Sequence, residues 1–259
     1  MYAATEAAIQ STTSVVRYWR IWFILASLIG ITAAQAADPP ADLVRRVEAR
    51  ETETAQAQSN YTYRQSVSMA ELSNQGALQG EYREIRDIIF SPEHERTEQV
   101  LGKPSNSLSH LKLTEEDFRD LREVQPFLLT KDQAFLYETA YRGEETVDGI
   151  DCFVLRLRPR QILDGQRLFD GMIWVDQRDY SIIRSAGQAV PQLLRMKEEN
   201  LFPHFTTVRQ KVDGGFWFPA LTYADDTLPF RTGQQRIRLT IRYTDYRKFG
   251  ADSTITYQK

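Results

Sequence analysis

Along Arg236-Ile237-Arg238-Leu239-Thr240-Ile241-Arg242-Tyr243, apolar and polar residues alternate without a break. Ile237, Leu239, Ile241 and Tyr243 share one face and three arginines the other, the period of a strand with one solvated side. In Phe153-Val154-Leu155-Arg156-Leu157-Arg158, the residues Phe153, Leu155 and Leu157 share a face, whereas Met172-Ile173-Trp174-Val175 is apolar on both and predicts a strand covered twice. Similar patterns predict strands at Tyr61–Val67, Tyr82–Phe90, Ala134–Tyr141, Asp151–Arg158, Met172–Asp176, Ser181–Arg184, Phe205–Val212, Phe216–Tyr223 and Arg236–Tyr246, with Arg96–Leu101 as a tenth.

Two segments carry the helical period instead. Within Asp42–Arg50, Leu43, Val44 and Val47 form one apolar stripe among charges. Thr114-Glu115-Glu116-Asp117 supplies an N-cap with acids in the first turn, Phe118 and Leu121 follow three apart, and Pro126 prevents continuation beyond about three turns.

Asp-Gly occurs at 148–149, 164–165, 170–171 and 213–214, and this dipeptide supplies the positive φ values of tight hairpin turns. Asp170-Gly171 follows Asp164-Gly165 too closely to close its own hairpin and predicts a β-bulge. The fold expected is α+β, mainly antiparallel β: a curled half-open β-barrel of about ten strands, with short helices laid over its open side as a lid and an apolar hollow beneath them.

The chain's beginning differs in kind. Arg17 and Arg20 precede the apolar run Ile21–Ile31, and Ala33-Ala34-Gln35-Ala36-Ala37 follows, which predicts a signal peptide over residues 1–36 and a single exported domain over 37–259. The apolar run falls short of the roughly 20 residues of a membrane-spanning helix. No cysteine follows the small residues, so the lipid anchor of a bacterial lipoprotein has no attachment point. A net charge of −3 provides no field to hold nucleic acid. Cys152 stands alone, so no internal disulfide can form, and its apolar neighbours mark it as a small buried hydrophobe.

Candidate chemistry is sparse. Asp176 and Asp179 bracket Gln177-Arg178 between two strand patterns and read as a polar turn, without a convergent partner for acid–base work. His94, His110 and His204 are far apart, and no metal or cofactor motif is present. Serine-hydrolase elbows and phosphate-binding glycine loops are likewise missing. Asp225-Asp226 is most simply an exposed loop, because a cation would need several further oxygens. In Phe216-Trp217-Phe218-Pro219, rings point to both sides of one strand.

Gly171-Met172-Ile173-Trp174-Val175-Asp176, then Tyr180-Ser181-Ile182-Ile183-Arg184, then Phe216-Trp217-Phe218-Pro219, resembles the outer-membrane lipoprotein-sorting proteins of the LolA, LolB and RseB superfamily. The resemblance implies a half-open β-barrel with a helical lid, a hydrophobic cavity, and non-catalytic binding of lipidated proteins or acyl chains in the periplasm. On that footing Phe153, Leu155, Met172 and Trp174 are cavity candidates, and Phe118 and Leu121 lid candidates. Carriers of this kind resemble one another in an early strand with an Arg-Pro step, which has no counterpart between Tyr82 and Leu101. Two alternatives remain at this stage: an RseB-like envelope sensor signalling to a membrane partner, and a secreted enzyme with a dispersed site. Oligomeric state has no signature in these patterns.

Overall fold

The computed structural model describes residues 38–91, 95–192, 203–231 and 233–249. The signal peptide and its cleavage point lie outside the described residues. Helix α1 (Leu43–Gln58) is followed by β1 (Tyr61–Leu72), β2 (Leu78–Phe90), β3 (Arg96–Val100) and the two-residue β4 (Ser105–Asn106). Next come α2 (Glu115–Arg119), which widens into a π-type turn over Asp120–Val124, and α3 (Lys131–Ala134). The chain then runs as a meander: β5 (Tyr137–Val147), β6 (Ile150–Pro159), β7 (Leu168–Asp176), β8 (Ile182–Val190), β9 (Phe205–Val212), β10 (Phe216–Phe230) and β11 (Gly233–Lys248).

All these strands belong to one antiparallel sheet in the order β3-β2-β1-β11-β10-β9-β8-β7-β6-β5, with β4 beside β2. The order is open: β3 and β4 lie at one end, β5 at the other, and the two ends do not pair. Two of the Asp-Gly dipeptides close hairpins as expected, with φ of 51° and 79° at Asp148 and Gly149 and 48° and 71° at Asp213 and Gly214. Asp170-Gly171 does not form a bulge. β7 runs through it in regular register, Asp170 opposite Gln188 and Gly171 opposite Gly187, and the irregularity lies further on, between Trp174 and Val175. What calls for glycine at 171 is packing: an added Cβ would stand 2.4 Å from the Phe169 ring and 2.3 Å from the Ala186 carbonyl oxygen.

The alternating residues of β11 behave as their pattern predicts. Ile237, Leu239, Ile241 and Tyr243 are buried on the concave face, while Arg236 and Arg238 on the convex face both pair with Asp225. Those two arginines hold the Asp225 carboxyl down at about 2, chiefly through the Arg236 hydrogen bond, and Asp226 is bonded to His204. The acidic pair is therefore occupied by other groups of the protein. Asp176 and Asp179 do flank a turn, although Asp176 is buried rather than exposed and accepts from the Arg178 backbone at 2.9 Å.

The concave face is covered by α1 and by residues 108–136. α1 runs beyond the expected Arg50 to Gln58, and its buried side is not purely apolar, since Glu51 and Thr54 join Leu43 and Val47 there. Glu51 accepts from Arg209 of β9 at 2.9 and 3.1 Å and from the Ile182 N–H of β8 at 3.0 Å, while Arg209 also donates to the Phe127 carbonyl. Asp120 receives a second buried arginine, Arg167, at 2.5 and 2.9 Å. Before α2, Glu71 of β1 accepts from the backbone N–H groups of Ser109, His110 and Leu111 and from the Ser109 hydroxyl, fastening the cover at its other end. Three buried carboxylates thus tie the cover to the sheet.

The hollow expected under the lid is largely filled among the described residues. Phe127 stacks on Phe169 at 4.6 Å between ring centres, Phe169 meets Phe205 at 6.0 Å and Phe127 meets Tyr137 at 5.6 Å. A residue 42 positions upstream of Phe169 brings a ring into the barrel, and the strand pattern alone carries no sign of it.

Candidate functional site

Apolar space persists at the flank of the barrel, where the sheet ends. Among the described residues β5 has a neighbouring strand on only one side, and its inward residues Thr139 and Tyr141 line a groove with the first turns of α1. Between them runs a groove of about 580 Å³ lined by Pro39, Pro40, Leu43, Val44, Thr139, Tyr141 and, at its floor, Leu155 of β6, with Asp42, Arg45 and Glu48 at its rim. The two prolines stand before α1, and a turn closed by the Leu43 N–H donating to the Pro40 carbonyl at 2.9 Å leads from them into the helix. Leu43 turns into the core while Val44 stays half-buried on the groove side, so one apolar stripe serves both packing and lining. At the rim, the Arg46 hydrogen bond of 2.9 Å holds the Asp42 carboxyl below its usual range, and Arg45 bonds it at 3.1 Å.

Behind Leu155, Phe153 lies parallel to Tyr180 with 6.4 Å between ring centres and tilts toward Tyr141 at 6.5 Å. Leu155 and Phe153 share the concave face with Ile173 and Val175, opposite which they pair in register. Met172 and Trp174 do not join them. They alternate to the convex face, where Trp174 packs with Val147, Cys152, Ile183 and Trp217 in a separate small cluster and donates to Glu145 at 2.7 Å. The expected second cover does not appear among the described residues: Met172 and Trp174 stay half-buried on the convex face, and the satellite cluster is built from side chains of neighbouring strands of the same sheet. Within it, burial pushes the Cys152 thiol up to about 11, aided by the nearby Asp176 charge, which leaves it inert.

The two lid candidates sit together over the opposite half of the barrel. Phe118 meets the Tyr82 ring edge-on at 6.0 Å and Leu121 is fully buried in the main core, both on the α2 segment. That segment begins as its sequence predicts, with a reciprocal cap between Thr114 and Asp117. Burial pushes the Asp117 carboxyl up to about 6 against the pull of the Thr114 hydrogen bonds. The structure therefore groups Phe153 with Leu155 and Phe118 with Leu121, and sets Met172 and Trp174 apart from both pairs.

Polarity divides the concave face. Toward β9, β10, β11 and β1 the interior holds hydrogen-bonding groups: the Thr207 hydroxyl donates to the Gln125 carbonyl at 2.8 Å and meets that of Thr222 at 2.7 Å, with the Tyr243 hydroxyl 3.4 Å further. Such groups lose free energy against hydrocarbon. The β5–β6 side, with Leu155 and Phe153, is the side suited to an apolar guest. Thr139, Tyr141, Pro39 and Pro40 escaped the sequence reading. The register break between Tyr141 and Gly143 that marks this irregular edge appears only in the folded sheet.

No family model matches the chain, and no curated protein matches it. Among solved structures, it is similar to a DUF1329 family protein from Desulfovibrio piger at 17% identity, over 82% of this chain and 95% of that one, with a TM-score of 0.40. A LolA superfamily protein from Nitrosomonas europaea matches at 12% identity over 80% and 94% of the two chains, with a TM-score of 0.38. The MucA/MucB complex of Pseudomonas aeruginosa matches at 13% identity over 82% and 100%, with a TM-score of 0.24. At such identities and TM-scores the likeness bears on no functional point.

Proposed function

We propose that this protein is a non-catalytic binder of acyl chains, free or attached to a lipidated protein, which it takes up in the groove between α1 and β5. On this reading residues 1–36 direct export, and 37–259 work in the periplasm as one domain. The observation that carries the proposal is the groove itself, whose apolar floor at Leu155 is continuous with the core while its ionisable residues stand at the rim. Each methylene moved from water contributes about 0.8 kcal/mol, so eight of them supply roughly 6 kcal/mol before the cost of association. The rim groups Asp42 and Arg45 bond each other at the exposed edge of the groove. A lipidated protein would present its acyl chain to the groove and its polypeptide to the rim.

Titration with a fluorescent fatty-acid probe tests this. Val44→Arg places a charge in the groove and is expected to weaken binding at least tenfold, whereas Trp174→Ala, on the convex face, should leave it unchanged. An equal loss in both variants, or no saturable binding by the unsubstituted protein, refutes the assignment.

A further inference from the structure

The groove is open on one side because β5 ends the sheet, and the outer edge of that strand has no strand partner among the described residues. The backbone groups on that edge follow from the register with β6. The Arg160 N–H donates to the Leu136 carbonyl at 2.8 Å, and pairing continues with Glu138 opposite Arg158 and Ala140 opposite Arg156. Bonded pairs alternate in an antiparallel ladder, so Glu138 and Ala140 turn their backbone groups toward β6, and Tyr137, Thr139 and Tyr141 turn theirs outward. Side chains alternate as well: Thr139 and Tyr141 face the groove, whereas Glu138, Ala140 and Arg142 are exposed on the convex face.

End strands commonly carry charges that repel a neighbouring strand. On β5 the charges are placed so that an antiparallel copy of the same strand attracts. With a twofold axis through Ala140, Glu138 lies opposite the partner's Arg142 and Arg142 opposite the partner's Glu138. The small Ala140 side chains meet at the axis, where an antiparallel ladder brings side chains closest. Thr139 then stands opposite the partner's Tyr141, a β-branched and aromatic pair of the kind that stabilises sheets, with both residues' backbone groups directed at one another. Arg142 is itself the extra residue of the irregularity between Tyr141 and Gly143, where φ is 110°, so the regular ladder spans Thr139 to Tyr141 and the Glu138–Arg142 charge pairs stand at its two ends. Glu138 is free to change partner, since its contact with Arg160 is 3.8 Å long and both side chains are mostly exposed.

We propose that two copies of this chain associate edge to edge through β5 in this register, making one continuous sheet in which the partner's β5 walls the open flank of each groove. The proposal concerns the assembly and does not need the guest of the groove to be an acyl chain.

Sedimentation equilibrium of the purified protein over 1–100 µM tests it, with circular dichroism confirming that variants fold. The unsubstituted chain should be dimeric at the upper concentrations. Arg142→Glu, which sets acids opposite one another twice per dimer, should raise the dissociation constant at least about tenfold. The double variant Glu138→Arg with Arg142→Glu restores opposite charges and should restore the dimer. Under mild oxidation Ala140→Cys should yield a disulfide-linked dimer, with Cys152 buried and unreactive. A monomer throughout the range, or a dimer insensitive to Arg142→Glu, overturns the proposal. Probe binding by a monomer would leave the groove assignment standing while removing the dimer.

Discussion

Removing the Glu51 carboxylate is the sharpest test of how the cover is held. Glu51 and Arg209 are both essentially inaccessible, with side-chain exposures of 0% and 2%, and the same carboxylate also accepts from the Ile182 backbone. Glu51→Ala leaves a buried guanidinium whose remaining partner is the Phe127 carbonyl, a neutral acceptor. Breaking one side of such a pair costs about 3–5 kcal/mol, most of it the penalty of the stranded charge. With a urea m-value of roughly 2–3 kcal/mol/M, near the top of the range for small proteins, the midpoint should fall by roughly 1.5 M. The cost comes from the charge rather than from the contact, so Glu51→Leu combined with Arg209→Met should recover most of the loss. Equilibrium urea unfolding followed by tryptophan fluorescence reads both. A single variant within about 1 kcal/mol of the unsubstituted protein, or a double variant no better than the single, would show that the pair does not tie α1 to the sheet.

Other predictions concern packing and pH. Gly171→Ala forces a Cβ against the Phe169 ring and the Ala186 carbonyl, and overpacking of this kind costs about 1–3 kcal/mol, or roughly 2–10 °C in a calorimetric melt; an unchanged melting temperature would contradict it. Glu71 is held below its ordinary pKa by hydrogen bonds from the Leu111, Ser109 and His110 backbone that outweigh its burial. Its contribution is therefore present above the unfolded carboxyl range and lost as the pH falls through the folded value, so Glu71→Gln should flatten the acid limb of a stability–pH curve. Asp117 acts in the opposite sense: raised to about 6, it favours the folded state below the unfolded carboxyl range and loses that contribution as pH rises through 6. Asp117→Asn should remove the slope between pH 4 and 6 while leaving the Glu71 limb in place, as urea unfolding at several pH values will show.

The alternation of β11, the hairpin turns at Asp148-Gly149 and Asp213-Gly214 and the start of α2 were legible, because each rests on local backbone preferences, whereas strand ends were not: Ala134, expected in a strand, closes α3, and β10 runs on to Phe230. Alternation in Arg236–Tyr243 sorts two faces whatever lies beyond them, Asp148-Gly149 and Asp213-Gly214 reach positive φ cheaply, and Thr114 can cap only the turn that follows it. Which faces share a space was decided elsewhere. Met172 and Trp174 carry the same apolarity as Leu155, yet their parity in β7 sends them outward, and the curl of the sheet determines which side becomes the interior. Asp170-Gly171 has the composition of a turn but sits within a strand in regular register, since its glycine leaves room for the Phe169 ring on the same strand face and for the adjacent β8 backbone. Glu51 and Arg209, 158 positions apart, look like ordinary surface charges until the helix lies on the sheet. The groove arises the same way, from an end strand meeting a helix that precedes it by some 80 residues. Local preference acts over a few bonds and is written in neighbouring residues, whereas burial and pairing depend on partners that only the folded chain brings together.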